Sequence, residues 1–173
     1  MAVNMVESGS EVGSESEDEP PPMLLFRKAS HRDLDSILSI ERICFSSESF
    51  TKKQFEYMLK SPSSIAFIAL CRGEIVGYIW AYIQRFKAKP QGRIYSLAVK
   101  PEFREQGIAR NLLLNVELEM QLLGVERIFL EVEEFNEAAK RLYINSGFKV
   151  QRFLPAYYGK ENAYKMIKKL VHQ

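Results

Sequence analysis

The sequence predicts one mixed α/β domain (α+β in its strand order), built on a mostly antiparallel sheet with a central parallel pair and flanking helices. The predicted elements follow the order β-α-α-β-β-β-α-β-α-β-β, and only the central part alternates strand and helix, which is the pattern of parallel strands. The length of 173 residues suits a single domain with a tail, and a hydrophobic content of 46% is enough for a core.

The first 22 residues differ in composition from the rest of the chain. They contain six Asp and Glu residues but no Lys or Arg, are rich in Ser, and end in three prolines. A segment of this kind cannot bury a core, so we expect a disordered acidic tail over residues 1–22 and an ordered domain over residues 23–173. The tail would either shield the domain from nucleic acid or increase its solubility.

The domain that follows the tail is basic. Residues 23–173 contain 24 Lys and Arg residues against 16 Asp and Glu residues, a formal charge of +8. Such a charge suits an anionic ligand. Nucleic acid is not indicated, because no predicted helix combines a basic face with interleaved aromatic residues.

Membrane, disulfide and metal-dependent classes are not supported by the sequence. No apolar run reaches the ~18 residues of a membrane span and no signal peptide is recognised, so we expect a soluble, cytoplasmic protein. Cys44 and Cys71 are too few and too far apart for a disulfide framework or a zinc ribbon. His31 and His172 are the only histidines, which argues against a His-ligated metal and against Ser-His or Cys-His catalysis.

Two helices and three strands are predicted in the first half of the domain. Capping-box patterns at residues 30–33 and 51–54 begin the helices, and a Ser-Pro pair ends the second one. The elements are a strand at 23–28, a helix ending near 44–45, a loop at 46–50, a helix ending before 61–62, and hairpin strands at 65–70 and 75–83.

A strand, a turn and a helix follow one another over residues 93–123. Residues 94–99 are mostly β-formers closed by a Lys-Pro pair, and residues 87–92 are predicted to be a polar loop that leads into them. The helix has apolar residues at helical spacing, and Gly124 stands at the position of a C-cap.

The turn before this helix has the composition of a phosphate-binding site. Gly107 and Ala109 lie at the expected helix start, where unpaired N–H groups and the positive end of the dipole favour phosphate. Arg104 and Arg110 add positive charge. The alternative is a tight turn without a ligand, and neither a P-loop nor a GxGxxG fingerprint is present.

A strand, a helix and two antiparallel strands complete the predicted domain. They are a strand at 127–133, a helix at 136–145, and strands at 148–153 and 163–170 joined through residues 155–159. Asn136 is the expected N-cap of the helix, and Gly147 is its expected stop.

Three polar residues are predicted to lie near Val99, at the edge of the sheet where the parallel strands end. Glu131 lies on the strand that should neighbour the central one, and Asn136 and Tyr143 lie two turns apart on one face of the next helix. Ligands bind at the carboxyl ends of parallel strands, so this edge is the expected site. Taken singly, Asn136 is also an ordinary N-cap and Tyr143 an ordinary core residue.

Four motifs occur in a fixed order across this region. They are Arg104-x-x-Gly107-x-Ala109, Leu130-Glu131-Val132, Asn136-x-x-Ala139-x-x-Leu142-Tyr143 and Gly147-Phe148. Together they resemble the GNAT superfamily of acetyl-CoA-dependent N-acetyltransferases, over residues 23–170. Within that superfamily, three further segments resemble the N-terminal protein acetyltransferases of archaea and those that modify ribosomal-protein alanine. These segments are Ser96-Leu97-Ala98-Val99, Tyr157-Tyr158 and Asn162-Ala163-Tyr164-x-Met166.

The resemblance implies a GNAT-like fold with acetyl-CoA as cosubstrate. The backbone of residues 97–99 would pair with the pantetheine arm like an added strand, and the amides of residues 105–110 would hold the pyrophosphate. The residues assigned to acetyl-CoA in this way are Leu97, Ala98, Val99, Arg104, Glu105, Gln106, Gly107, Ile108, Ala109, Arg110, Asn136, Tyr143, Ile144 and Asn145.

Catalytic and substrate-binding roles follow from the same resemblance. Glu131 resembles the base of the ribosomal-protein enzymes, and Glu48 lies in a segment similar to the Glu-Asn-Tyr loop of archaeal relatives. Tyr143 would protonate the leaving thiolate. The residues expected to flank an incoming peptide N-terminus are Phe50, Tyr157 and Tyr158.

The identity of the base and of the acceptor stays open at this level. Arg93 could pair with Glu131 across the sheet and weaken it as a base, whereas Glu48 could be a solvated loop residue. The favoured acceptors are protein or peptide N-termini, with ribosomal or nascent chains among the candidate partners. The alternatives are a small-amine or lysine side-chain acetyltransferase and a non-catalytic acetyl-CoA-binding module.

Overall fold

A seven-stranded sheet forms the centre of the fold, with strand order β1-β2-β3-β4-β5-β7-β6. The computed structural model describes residues 23–45, 50–86 and 89–170. The strands are β1 (Leu24–Lys28), β2 (Ser64–Cys71), β3 (Glu74–Phe86), β4 (Lys89–Val99), β5 (Arg127–Glu133), β6 (Lys149–Tyr158) and β7 (Glu161–Lys169). Among these strands only the β4–β5 pair is parallel, which confirms the predicted fold class.

Among the described residues, four helices flank the sheet in the predicted order. They are α1 (Leu34–Cys44), α2 (Lys52–Lys60), α3 (Ile108–Leu122) and α4 (Glu137–Asn145), and 3₁₀ turns at His31–Asp33 and Pro101–Phe103 precede α1 and α3. The predicted caps are confirmed. The Thr51 hydroxyl accepts a hydrogen bond from the Gln54 amide at 3.3 Å, and the Asn136 side chain accepts one from the Ala139 amide at 3.0 Å.

The helices bury two hydrophobic clusters on opposite faces of the sheet. One cluster includes Leu112 of α3, and the other includes Ile37 of α1. Along β3, Ile79 belongs to the α3 side whereas Tyr78 and Trp80 belong to the α1 side, as the alternation of strand side chains requires. No helix within the described ranges is long and apolar enough to span a bilayer.

The prediction of a loop at residues 87–92 is wrong for most of that range, because β4 begins at Lys89. Residues 89–92 pair with the end of β3, from Phe86 to Ile83, and so complete a long hairpin. The low β-propensity of Lys-Pro-Gln-Gly is overridden by this pairing. Gly92 leaves room there for Met120 of α3, because a Cβ would lie 2.3 Å from the Met120 sulfur and the end of that side chain would have to move.

The prediction of a connecting segment at residues 155–159 is also wrong, because β6 continues to Tyr158. Tyr158 pairs with Glu161, so only Gly159 and Lys160 connect β6 to β7. A bulge between Leu154 and Tyr158 accommodates the intervening residues, and a proline is tolerated at such a bulge. The predicted acidic tail and Glu48 lie outside the described residues.

Candidate active site

A cleft opens between β4 and β5 where their ladder ends. The parallel ladder joins residues 91–93 to residues 127–129 only, although both strands continue beyond it. Two cavities occupy the cleft, a smaller one of about 240 Å³ and a larger one of about 720 Å³. They form one continuous groove, because both are lined by Phe45, Leu97, Asn136, Ala139 and Tyr143.

The end of the larger cavity that lies at the N-terminus of α3 has features that suit an anion. Gly107 caps α3 with a φ of +74°, a left-handed conformation that glycine adopts without strain. An added Cβ at Gly107 would have only the Asn111 side-chain nitrogen nearby, at 3.8 Å, so a ligand can approach the backbone closely. Arg104 and Arg110 line the same cavity, and the helix N-terminus favours phosphate.

Most residues assigned to acetyl-CoA from the sequence lie on the wall of the larger cavity. Arg104 is held there by a hydrogen bond from its Nε to the Val99 carbonyl, at 3.2 Å. Gln106, Ile144 and Asn145 line neither cavity. The lining residues from the assigned set are Leu97, Ala98, Val99, Arg104, Glu105, Gly107, Ile108, Ala109, Arg110, Asn136 and Tyr143.

Glu131 lines the smaller cavity and is paired with Arg93. The Arg93 Nε donates a hydrogen bond to one Glu131 oxygen at 3.1 Å, a terminal nitrogen of Arg93 lies 3.0 Å from the same oxygen, and the Glu131 side chain is only 8% exposed. This is the ion pair across β4 and β5 that the sequence raised as an alternative. The carboxylate is thus held by a charge-assisted contact while facing the cavity.

Tyr143 lies on α4 at the junction of the two cavities. It is buried, and its ring meets that of Phe148 at 5.7 Å. Desolvation raises the pKa of Tyr143, so its hydroxyl stays protonated across the physiological range. A protonated phenol at this junction can donate a proton or a hydrogen bond to either cavity.

Glu41, a residue that the sequence reasoning did not select, lines the smaller cavity. Its buried carboxylate accepts hydrogen bonds from the Tyr78 hydroxyl, from the Ser96 hydroxyl at 3.3 Å, and from the Phe50 amide at 3.0 Å. Burial and then the nearby Glu41 charge raise the pKa of Tyr78. The sequence did contain a signal for Glu41. It lies four residues after Ile37, so this charged residue falls on the otherwise apolar face of α1.

A β-bulge at Tyr95 aims Ser96 at this network. Trp80 pairs with Ser96 and Ala81 with Ile94, so Tyr95 is the extra residue of β4. The bulge reverses the alternation of side chains, which places Ile94 in the α3-side core and turns Ser96 toward Tyr78 on the opposite face.

Two of the three residues expected to flank a peptide line the smaller cavity. Phe50 and Tyr158 line it, whereas Tyr157 does not and instead accepts a hydrogen bond from Arg93 at 2.9 Å. Further lining residues not selected from the sequence include Tyr95, Glu133 and Glu161. Cys44, which lines the larger cavity, was also not selected, and burial raises the pKa of its thiol.

Known acetyltransferases are similar in sequence to this chain. A family model described as "Acetyltransferase (GNAT) family" matches residues 34–148. The chain is 34% identical over 148 residues to an uncharacterized N-acetyltransferase of Methanocaldococcus jannaschii, covering 84% of this chain and 92% of the relative. It is 33% identical over 150 residues to an N-alpha-acetyltransferase of Sulfurisphaera tokodaii, covering 81% and 89% respectively.

A solved structure shares the fold. The ribosomal-protein-S18-alanine N-acetyltransferase of Escherichia coli aligns with a TM-score of 0.75 and 24% identity, over 87% of this chain and 96% of that chain. This likeness shows a shared fold.

Proposed function

Because the chain belongs to the GNAT family of acetyltransferases, it is an acetyl-CoA-dependent N-acetyltransferase, and we propose that its acceptor is the N-terminal α-amine of a protein. The observation that carries the proposal is the smaller cavity, which joins the larger one at Tyr143 and has Phe50 and Tyr158 in its wall. Two aromatic side chains suit a groove for an extended chain end. The N-alpha-acetyltransferase name of the Sulfurisphaera tokodaii relative supports the same acceptor.

The larger cavity suits acetyl-CoA. Arg104, Arg110 and the first amides of α3 offer positive charge and donors to a pyrophosphate, and Gly107 leaves room for its approach. Residues 97–99 border the gap left by the end of the β4–β5 ladder, where a pantetheine arm can accept strand-like hydrogen bonds. When bound, the cosubstrate supplies the thioester carbonyl that an amine attacks and the thiolate that leaves.

We infer that Glu131 helps the acceptor lose its proton. A free α-amine has a pKa of about 7.7–8.0, so a substantial fraction is neutral near physiological pH, whereas a lysine amine at about 10.4 needs more help. A carboxylate held beside the cavity can accept the remaining proton, directly or through water. Glu48 stays the alternative candidate for the base. Holding the amine and the thioester together supplies much of the remaining rate enhancement.

Tyr143 supplies the opposite proton transfer. Tyr143 lines both cavities, and burial keeps its hydroxyl protonated at neutral pH. It can therefore protonate or hydrogen-bond the departing sulfur. Cys44 also borders the larger cavity, but burial keeps its thiol protonated, which favours direct transfer to the amine over transfer through a cysteine.

Acetyl-CoA turnover against a peptide panel tests the proposal. The panel has peptides with different first residues and free N-termini, and one peptide with a blocked N-terminus and a free lysine. Turnover of the free N-termini, with none of the blocked peptide, is expected. Acetylation of the blocked peptide alone would assign a lysine side-chain enzyme, and acetyl-CoA binding without turnover of any amine would assign a non-catalytic binding module.

A further inference from the structure

The guanidinium of Arg93 lies where three parts of the sheet meet. It contacts Glu131 on β5 at 3.0 Å, the Tyr157 hydroxyl on β6 at 2.9 Å, and the Tyr95 hydroxyl on its own strand at 3.3 Å. Its central carbon also lies 4.5 Å from the centre of the Tyr95 ring, which is a cation–π contact. One side chain thus connects β4, β5 and the β6–β7 hairpin.

Arg93 does not line the smaller cavity, but its partners do or adjoin it. Tyr95 and Glu131 are lining residues. Tyr157 is next to Tyr158, which lines the cavity, and their rings meet nearly at right angles with centres 4.9 Å apart. A displacement of Tyr157 would therefore change the position of Tyr158 in the cavity wall.

The β6 bulge is shaped to present Tyr157 to Arg93. Ala156 has a φ of +49°, a left-handed conformation that an alanine rarely adopts. Its amide donates to the Asn162 side chain at 3.0 Å, and Asn162 in turn donates to Glu134 at 2.8 Å. The bulge is thus held by contacts to β7 and to the end of β5, and bulges of this kind re-aim side chains.

The set of contacts needs an arginine. A guanidinium has five donors in a planar fork, and its face can also stack on an aromatic ring. A lysine at the same place has a single ammonium on a flexible chain, which cannot reach Glu131 and both tyrosines while stacking on Tyr95. The charge of Arg93 is therefore less important than its shape.

We propose that Arg93 is a positioning residue that fixes the acceptor side of the cleft, by holding Glu131 on β5 and the Tyr157–Tyr158 corner of the β6–β7 hairpin in one arrangement. The inference rests on the proposed function only in taking the smaller cavity as the entrance for the acceptor amine. It implies that Arg93 acts on acceptor binding and orientation and leaves the acetyl-CoA cavity unchanged.

Steady-state kinetics of Arg93→Lys test the proposal, with whichever amine of the peptide panel the wild-type protein acetylates as acceptor. The acceptor kcat/KM is expected to fall about 10–100-fold, the range for losing hydrogen bonds to a charged group, while the KM for acetyl-CoA stays at its wild-type value. Arg152→Lys, an exposed position on β6, is the matched control and should change neither constant. An equal fall in kcat/KM for the acceptor and for acetyl-CoA, or no fall for either, would overturn the proposal.

A double-mutant cycle identifies the contact that matters. Tyr157→Phe removes only the hydroxyl that Arg93 contacts, so its effect should be largely absent when Arg93 is already lysine. Independent, additive losses would show that Arg93 does not act through the hairpin.

Hydrogen exchange gives a readout that needs no acceptor. Amides of residues 154–163 should exchange faster in Arg93→Lys and in Tyr157→Phe, and no faster in the double variant than in Arg93→Lys. Unchanged exchange in all three variants would refute the proposed role even if the protein acetylates N-termini. Conversely, faster exchange together with lysine-only acetylation would support the positioning role of Arg93 and reject the proposed acceptor.

Discussion

The carboxylate of Glu41 on α1 accepts a hydrogen bond from the backbone amide of Phe50 at 3.0 Å, and so ties α1 to the segment that leads into α2 at the wall of the smaller cavity. Its other oxygen accepts from the Tyr78 and Ser96 hydroxyls. A buried charge of this kind is stable only because several donors surround it.

Glu41→Gln should lower the free energy of unfolding by about 1–3 kcal/mol, because glutamine has one acceptor oxygen where Glu41 has two, so either the Phe50 amide or the hydroxyl pair loses its acceptor. Urea denaturation measures the loss. The exposed Glu102 provides the control, and Glu102→Gln should stay within about 0.5 kcal/mol of the wild type. A stability of Glu41→Gln equal to that of the control would mean that the network contributes nothing.

Tyr143→Phe should lower kcat by about 100-fold or more, the lower end of the range for general acid–base assistance, while acetyl-CoA affinity stays nearly intact. The change removes only the hydroxyl and keeps the ring against Phe148. Rapid-quench kinetics and calorimetric titration with acetyl-CoA measure the two quantities. Tyr57→Phe, at an exposed site on α2, is the control, and an unchanged kcat in Tyr143→Phe would rule out the proton-donor role.

Glu131→Gln and Glu48→Gln should differ in their pH–rate profiles. The acceptor α-amine, whose pKa is about 7.7–8.0, must lose a proton to attack, so the variant that lacks the base should need a higher pH than the wild type to reach its full kcat/KM. Profiles of kcat/KM between about pH 5 and 10 separate the two candidates. If both variants keep the wild-type profile, both glutamates are structural.

Gly107→Ala should raise the Kd for acetyl-CoA about tenfold, equivalent to ~1.4 kcal/mol, because the new methyl group occupies space that the ligand needs. Gly124 is a matched control, since its φ of +77° resembles the +74° of Gly107 and it lies at the other end of α3. Both alanine variants should lose about 1–2 kcal/mol of stability through backbone strain. Equal acetyl-CoA affinities in the two variants would contradict an anion site at Gly107.

Stability should fall at low pH through Asp33. The Arg27 guanidinium, hydrogen-bonded to it at 2.7 Å, is the main cause that lowers the pKa of Asp33 to about 2. A depressed pKa stabilises the fold above the unfolded pKa of ~3.9, and this contribution disappears as pH falls from about 4 to 2.

Asp33→Asn should therefore lower the free energy of unfolding by about 1–2 kcal/mol at pH 6, a value reduced for the half-exposed Arg27, and by progressively less toward pH 2. Urea denaturation across this range measures the difference. Asp35, whose ion pair with Lys52 is exposed, is the comparison, and Asp35→Asn should have little effect at any pH. A loss in Asp33→Asn that does not change with pH would exclude the ion pair as its cause.

Local signals in the sequence determined the order of the elements, the caps and the polar residues near the end of β4. The cap at Asn136 and the left-handed Gly107 depend on backbone geometry within a few residues, which periodicity and residue type reveal directly. Glu131, Asn136 and Tyr143 could likewise be placed at one edge from residue order alone, because the carboxyl ends of neighbouring parallel strands meet there.

Only the tertiary structure decided which distant groups meet. The lengths of β4 and β6 depend on hairpin pairing, which overrides low strand propensity at residues 89–92 and 155–156. The contacts of Glu41 with Ser96 and of Arg93 with Tyr157 join positions 55 and 64 residues apart. Strand order and two bulges bring those groups together, and neither is written in the local residue pattern, because pairing register is a property of the whole sheet.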